Sequence, residues 1–373
     1  MKSALPIVAA AVLAMSSSLQ AADAAAPGKY VHFVWSNPAP GVWHGVTPPA
    51  SFIGSNTAIF KIPGGGLVVD AHITESTANE IVAKAKEVGA APIKYLVNSH
   101  FHNDRSGGNY GIKKAFPDVQ IIGHRNTCWA EKVKAQPRWQ WRVVEQLGKD
   151  VAEIRANIEK VTDPKIKADL QRIAAGNELY LQDSKTFTYT YPDVCLDLKP
   201  GETKTIVEGE REIQVMFPGG AHTSGDLVVL LPKEKIAFTG ALWGTNGRAG
   251  CDGRDGSLLQ CASSLRRVQA LDFDLALPGG GESFRGKKGL PEAIKSSEEF
   301  IDKVRASYER GEYIEKTLAL LTPPYTPSAT PTLSDYVPYI SVERYGPHAS
   351  LKRAIIRAYE EMEFRRVNGM ELP

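Results

Sequence analysis

The segment 97–108, VNSHFHNDRSGG, places two histidines and an aspartate directly after a short apolar run. Because alternate residues of an extended segment share one side, His100 and His102 can face a single point at the end of a strand. Imidazole nitrogens are favoured ligands of Zn²⁺, and Asp104 stands two residues further on. The spacing predicts a metal site, with a pair of surface histidines as the alternative. Any fold for this chain must bring a further ligand to that strand end.

The rest of the chain alternates between short apolar runs and helical patterns. A helix is predicted over 76–88, with a cap within 74–76, and another over 108–117. Strands are predicted over 57–62, 66–70, 94–98, 119–122, 186–191, 213–217, 227–231, 236–239 and 274–278. Such alternation predicts a layered α/β architecture with helices covering the sheets.

Two regions interrupt this alternation. Residues 137–180 are charged and helical in pattern, which predicts a helical insertion. From residue 291 onward the pattern is helical again, over 293–310, 314–321 and 351–364, with a proline-rich link over 322–338.

The beginning of the chain predicts export. Residues 1–24 have a basic start, a short apolar run and small-residue cleavage sites ending at Ala21 or Ala24, which is typical of a secretory signal peptide. The apolar run is too short to span a bilayer. A net charge of +2 over 373 residues gives no indication of nucleic-acid or membrane-surface binding. We therefore expect a periplasmic or secreted protein.

None of the four cysteines lies in a CxxC pair, so a thiolate zinc site is not expected. Cys251 and Cys261 bracket a loop rich in glycine and aspartate, and they could form a disulfide in an oxidising compartment. Cys128 and Cys195 could form a second one. The sequence does not fix this pairing.

A third metal ligand is expected from the segment 217–226, FPGGAHTSGD, which places His222 in a tight turn between two predicted strands. A lone histidine is more often packed or hydrogen-bonded than ligating, which is the interpretation for His32, His44, His72, His124 and His348. His44, beside Trp43, could instead lie on a substrate-facing hairpin loop.

Taken in order, these motifs resemble the metallo-β-lactamase superfamily over about residues 42–283. The resemblance rests on GSNT at 54–57, VVD at 68–70, HFHND at 100–104, HTSGD at 222–226 and LPGGG at 277–281. It implies an αββα sandwich with the metal site at one edge of two packed sheets. The corresponding domain would cover residues 27–290, followed by a C-terminal helical extension over 291–373.

The departures from the family pattern concern the second of its two metal positions. The family usually has HxHxDH, and the last position here is Arg105. Its bridging Asp or Cys corresponds to Ala241, and its last histidine ligand corresponds to Gly280. Only Asp104 then remains for a second metal, whereas dedicated zinc sites supply three or four protein ligands. We expect one zinc ion per chain, with Asp104 as a possible further ligand to the set His100, His102 and His222.

Asp104 and Arg105 are the predicted catalytic residues. Three histidines and a water form the ligand set that lowers the pKa of the bound water to about 7 in carbonic anhydrase. Asp104 could orient such a water or act as a general base. Arg105 would place positive charge beside Asp104, where a second cation would otherwise lie. The alternative is a structural Asp104 held in a salt bridge with Arg105.

These residues predict an exported zinc hydrolase that uses a metal-bound water on an ester, lactone, amide or related bond of a small-molecule substrate. A β-lactamase is one alternative, although the lysine that often binds the drug's carboxylate is replaced by Gly244. A catalytically inactive binding protein with the same fold is the other. Oligomeric state stays open, and so does whether Trp139, Trp141 and Trp243 line an apolar pocket or simply pack.

Overall fold

The structure is a computed structural model that describes residues 30–244, 247, 249–251, 253–322, 330–339 and 348–372. The predicted signal peptide lies outside these residues. Within the described part of the chain, every helix is either too short or too polar to cross a membrane.

The first sheet contains seven strands that neighbour one another in chain order. They are β1 (Val34–Ala39), β2 (Val42–Val46), β3 (Thr57–Ile62), β4 (Gly65–Val69), β5 (Ile93–Val97), β6 (Gln120–His124) and β7 (Val194–Leu196). The pairs from β1 to β4 are antiparallel, and those from β4 to β7 are parallel. Parallel neighbours place their carboxyl ends at the same edge, so the loop after β5 lies at an edge lined by several strand ends.

The second sheet contains six strands in the spatial order β13-β12-β11-β10-β9-β8. They are β8 (Thr203–Glu208), β9 (Arg211–Met216), β10 (Val228–Leu231), β11 (Ile236–Gly240), β12 (Leu275–Pro278) and β13 (Phe284–Arg285). The pair β11–β12 is parallel, and the other pairs are antiparallel.

Helices cover both outer faces of the paired sheets. The helices are α1 (Glu75–Glu87), α2 (Asn103–Ser106), α3 (Asn109–Ala115), α4 (Arg125–Ala130), α5 (Gln136–Trp141), α6 (Leu147–Ile158), α7 (Pro164–Asp183), α8 (Cys261–Ala270), α9 (Leu290–Glu309), α10 (Ile314–Leu321) and α11 (Ala349–Val367). Helix α1 begins where the sequence predicts, because the Thr74 side chain accepts a hydrogen bond from the backbone N–H of Thr77.

The main apolar core lies between the sheets, where Phe60 and Val69 of the first sheet meet Val229 and Phe238 of the second. A second apolar layer packs α1 and α3 on the outer face of the first sheet. A third packs α8 and α9 on the outer face of the second sheet. The central strands of both sheets therefore bury side chains on both faces, and the predicted αββα sandwich is confirmed.

The predicted helical insertion is present and extends over α4, α5, α6 and α7. Two π-helical segments, Glu131–Ala135 and Arg142–Gln146, interrupt its first part. A regular α-helix has 3.6 residues per turn, so a strict four-residue repeat would drift around it. The wider π turns compensate for this drift. As a result, every fourth residue from 131 to 147 faces inward: Glu131, Ala135, Val143 and Leu147 are buried, and Trp139 is partly exposed.

The C-terminal region is helical, as predicted, with α9, α10 and α11 at the expected places. These helices share a separate apolar cluster in which Val304 of α9 meets Ile355 and Met362 of α11. The proline-rich link falls only in part within the described residues.

One predicted strand is wrong. Residues 186–191 form no strand, and β7 lies a few residues later beside β6. The alternating aromatic residues of this segment pack against the insertion and α2 instead: the ring of Phe187 stacks on Trp139 of the insertion at 4.2 Å, and the hydroxyl of Tyr189 donates to Asn103 of α2. Strands β1, β2, β8 and β13 were not predicted: β1 contains Pro38, β8 is largely exposed and β13 has only two residues.

Candidate metal centre

Three histidines from two loops meet at one edge of the sandwich. His100 and His102 lie in the loop between β5 and α2, and His222 lies in the turn between β9 and β10. Their ring centroids are 4.7 to 4.9 Å apart. One nitrogen from each ring lies within 4.8 Å of the other two, which is a spacing that suits a single metal ion. Among the described residues, no other set of three His, Cys, Asp or Glu side chains is grouped in this way.

Each ring is held through the nitrogen that faces away from this point. His100 Nδ1 lies 3.0 Å from the hydroxyl of Ser99. His102 Nε2 lies 2.9 Å from the Asp255 carboxylate. His222 Nδ1 bonds to the backbone carbonyl of Gly250. Polar partners of this kind fix the tautomer and the orientation of metal-binding histidines.

The three remaining nitrogens converge. His102 Nδ1 and His222 Nε2 lie 3.2 Å apart, and His100 Nε2 is buried with no hydrogen-bond partner. Burial, followed by the neighbouring His222 and His102, holds the pKa of His100 well below its ordinary value, so its ring is neutral. A neutral imidazole with a buried, unpaired nitrogen is what a metal requires. The residues therefore fit a zinc ion.

A buried carboxylate supports the His100 side of the site. Asp70, at the end of β4, accepts hydrogen bonds of 2.7 Å from both the backbone N–H and the hydroxyl of Ser99. Burial raises the pKa of Asp70 to about 7, although the Arg105 charge and the Ser99 hydrogen bonds oppose this. Ser99 thus links the end of one strand to the first histidine.

The turn that carries His222 is organised by Asp226, the last residue of the HTSGD motif. The Asp226 carboxylate accepts hydrogen bonds from the backbone N–H groups of Ala221, His222 and Thr223, at 2.8 to 3.1 Å. These bonds close the turn on itself and direct the imidazole toward the other two histidines.

The position predicted to be depleted of metal ligands contains an arginine. The Nη1 group of Arg105 donates to Ser55 Oγ at 2.7 Å and to the carbonyl of Gly279 at 2.6 Å. Its Nε lies 3.3 Å from the Asp104 carboxylate. The Arg105 side chain is buried, so its charge lies at the edge of the site and is held by the surrounding loops.

Asp104 is therefore ion-paired with its neighbour. Burial raises the pKa of the Asp104 carboxyl, but the charges of Arg105 and the nearby histidines outweigh burial and bring that pKa below its ordinary value. The ion pair is what the structural alternative predicted for Asp104. About a quarter of the Asp104 side chain is exposed, so the predicted contact with a water or substrate is still sterically open.

Ala241 directly follows β11, and Gly280 lies two residues after β12. The two turns are neighbours, because the backbone N–H of Gly279 donates to the carbonyl of Gly240 at 2.8 Å. Neither residue has a side chain that can bind a metal. The described chain therefore presents only one side-chain carboxylate, that of Asp104, at the position where the resemblance implies three ligands.

Two residues near the histidines were not predicted. Asp255 lies in the loop between β11 and α8, and Arg138 lies on α5 of the insertion, bonded to Asp255 at 2.6 and 2.7 Å. The glycine- and aspartate-rich composition of residues 251–261 was the only available signal for Asp255. No sequence pattern distinguished Arg138 from the other basic residues of the insertion.

The remaining candidates lie elsewhere. His44 is fully buried in β2, where Nε2 is 3.2 Å from the carbonyl of Pro278, so a substrate-facing position is wrong. Trp243 belongs to the apolar layer outside the second sheet. Trp139 stacks on Phe187, whereas Trp141 is 56% exposed.

Both possible disulfides are present. Cys128 bonds to Cys195 and joins α4 to β7. Cys251 bonds to Cys261 and closes the loop that contains Asp255. The second bridge therefore restrains a segment that touches the metal-binding histidines.

Comparison with known proteins agrees with this architecture. Residues 51–280, more than half of the chain, match the family model of the metallo-beta-lactamase superfamily. The chain belongs to that superfamily.

Two solved structures with a similar fold are those of metallo-beta-lactamases from other organisms. FIM-1 from Pseudomonas aeruginosa, in its mono-zinc form, is 16% identical, with a TM-score of 0.52 over 74% of this chain and 98% of that one. The enzyme from Pontibacter korlensis is 18% identical, with a TM-score of 0.49 over 71% of this chain and 99% of that one. At 16% identity the likeness to FIM-1 shows the fold alone.

Proposed function

We propose that this protein is an exported zinc-dependent hydrolase that holds one zinc ion per chain and cleaves an ester, lactone, amide or related bond in a small molecule. The observation that carries the proposal is the arrangement of the three histidines. Each ring is anchored through one nitrogen, and the other three nitrogens converge, with His100 Nε2 buried and without a hydrogen-bond partner.

His100, His102 and His222 would hold the zinc. A zinc ion with three histidine ligands supplies an activated water near neutral pH and polarises the oxygen of the bond to be cleaved. The task of the protein is then to hold the three rings in place and to orient the substrate beside them.

Asp104 is the candidate for proton transfer and orientation. It stands two residues from His102, is ionised by its charged neighbours and is partly exposed. Arg105 fixes its position through the ion pair, and the carbonyl of Gly279 and hydroxyl of Ser55 fix Arg105 in turn. In this proposal Arg105 acts through Asp104.

A single zinc is favoured because the second position is both poor in ligands and already positive. Ala241 and Gly280 offer no donor, and the Arg105 guanidinium pairs with the one carboxylate that remains. A second cation would have to displace Arg105 from buried hydrogen bonds. The fold accommodates one ion elsewhere, since FIM-1 was solved in a mono-zinc form.

Export is part of the proposal. The signal-peptide pattern over residues 1–24 supports it, and two disulfide bridges are typical of proteins from oxidising compartments. On this basis the protein functions in the periplasm or outside the cell.

The test is metal analysis followed by an activity screen on the purified mature chain. We expect about one zinc per chain, and hydrolysis of at least one member of a panel of esters, lactones, β-lactams and phosphodiesters, abolished by a chelator and restored by zinc. Zinc binding without turnover on the whole panel would instead favour a binding protein. Turnover confined to β-lactams would assign a β-lactamase.

A further inference from the structure

Arg138, on α5 of the helical insertion, forms an ion pair with Asp255, the carboxylate that holds a metal-site histidine. Its two terminal nitrogens donate to the two oxygens of Asp255, at 2.6 and 2.7 Å. The same carboxylate accepts from His102 Nε2 at 2.9 Å. Arg138 and His102 therefore share one buried carboxylate, although they are far apart in the chain.

Asp255 is held in place by its backbone as well. It pairs with Thr223 in an isolated β-bridge, and the N–H of Ser257 donates to the carbonyl of Gly220 at 3.0 Å. The disulfide between Cys251 and Cys261 closes this loop. Backbone restraints fix where the residue lies, but they leave the carboxyl group free to rotate about its side-chain bonds.

Arg138 removes that freedom. A guanidinium that binds both oxygens fixes the plane of a carboxylate, which a point charge cannot do. Lys134 and Arg254 also lie near Asp255, but at 3.7 and 3.8 Å they are beyond hydrogen-bond distance. Of these three cations, Arg138 alone has the geometry that sets the carboxylate's orientation.

The π-helical segment before α5 brings this side chain into position. It keeps a four-residue repeat on the buried face of the insertion, so Lys134 and Arg138, four residues apart, lie on the same flank and both face Asp255. The unusual helix geometry therefore has a consequence for the metal centre.

We infer that Arg138 is a positioning residue of the zinc site, which fixes the Asp255 carboxylate so that Asp255 orients the His102 ring toward the metal. This rests on the proposed zinc function of the same site. Without Arg138 the carboxylate can rotate, the hydrogen bond to His102 Nε2 loosens, and His102 Nδ1 is held less firmly toward the other two histidines.

The test compares Arg138→Ala and Arg138→Lys with Asp255→Asn in the full mature chain. Arg155→Ala is the matched control, because Arg155 lies on the same insertion and makes a similar two-bond ion pair, with Glu178. Zinc affinity is measured by competition with a chromophoric chelator, and the visible spectrum of the Co²⁺-loaded protein reports the ligand geometry. Circular dichroism and thermal unfolding confirm that each variant is folded.

We expect Asp255→Asn to weaken zinc binding by about 10- to 100-fold, the usual effect of losing such a partner. Arg138→Ala should weaken it by roughly 10-fold and alter the Co²⁺ spectrum, while Arg138→Lys falls between Arg138→Ala and wild type. Arg155→Ala should match wild type in both measurements.

The inference is overturned if Arg138→Ala and Arg155→Ala cannot be distinguished by zinc affinity or by the Co²⁺ spectrum. Neither measurement requires a substrate. A wild-type protein that binds zinc tightly and hydrolyses nothing would count against the proposed function, while the Arg138 comparison would still decide the inference. A wild-type protein that takes up no zinc overturns both.

Discussion

The histidine position and the arginine position lie side by side at one edge of the sandwich, and they differ in how far their polar groups are paired. At the histidine position, three ring nitrogens converge, and one of them, His100 Nε2, is buried without a hydrogen-bond partner. At the arginine position, the charged groups are already matched: Arg105 bonds to Ser55 and Gly279 and pairs with Asp104.

A metal site is indicated where the fold leaves buried lone-pair nitrogens without a hydrogen-bond partner. Burying a polar group without a partner costs free energy, so a chain keeps such a group only if something else satisfies it. His100 Nε2 at the first position has no polar partner, whereas Arg105 Nε at the second position makes no hydrogen bond but faces the Asp104 carboxylate at 3.3 Å.

The largest effect is expected from removing a ligand at the histidine position. Zinc binding at protein sites is worth about 10–16 kcal/mol, which is roughly 2.5–4 kcal/mol for each of four ligands. His222→Ala should therefore weaken zinc binding by about 10²- to 10³-fold and abolish chelator-sensitive turnover. Isothermal titration with zinc measures the affinity. Retention of full zinc content would mean that the three rings do not form the site.

Next in size is the loss of the partly exposed carboxylate. Asp104→Asn should keep one zinc per chain but reduce kcat by about 10²-fold, which is the lower end of what a lost acid–base group costs. Metal content and steady-state kinetics on the same sample separate the two effects. Release of zinc from this variant would show that Asp104 is a ligand.

A smaller effect is expected on stability at the arginine position. Arg105→Ala leaves the Gly279 carbonyl and the Ser55 hydroxyl without their donor, and it leaves Asp104 unpaired. We expect the free energy of unfolding to fall by about 2–3 kcal/mol. Urea titration monitored by tryptophan fluorescence provides the measurement, with the exposed Arg155→Ala as control. Equal changes in the two variants would mean that Arg105 does not stabilise the site.

The smallest effect is expected from rebuilding the second metal position. Ala241→Asp with Gly280→His restores two donors, and a side chain at position 280 has space, since an added Cβ would only touch the Gly54 carbonyl at 3.5 Å. With Arg105 retained, we expect no second zinc. Adding Arg105→His should allow weak binding of a second ion, detected by native mass spectrometry. Recruitment of a second zinc with Arg105 in place would contradict the role given to this charge.

The sequence predicted the features that depend on local spacing. His100 and His102 follow a strand end directly, and His222 lies in a turn defined by its own HTSGD motif, so each could be found without knowledge of the packing. The layered fold was predicted for the same reason, since strands and helices recur with clear periodicity. The ion pair of Arg105 with Asp104, between adjacent residues, was foreseen as an alternative.

The features that the sequence missed depend on packing between distant segments. Asp255 is 153 residues from His102, and Arg138 is 117 residues from Asp255. Neither lies in a periodic pattern that would indicate its direction. The false strand at 186–191 has the same origin, because alternating aromatic residues fit a sheet surface and the surface of the helical insertion equally well. Only the assembled fold distinguishes these environments.

The most direct test of the central claim is anomalous X-ray diffraction at the zinc absorption edge, from crystals of the mature protein grown with excess zinc. One peak is expected, about 2.0–2.1 Å from His100 Nε2, His102 Nδ1 and His222 Nε2, with Arg105 still bonded to Gly279. Two peaks, or no peak between the three rings, would contradict it.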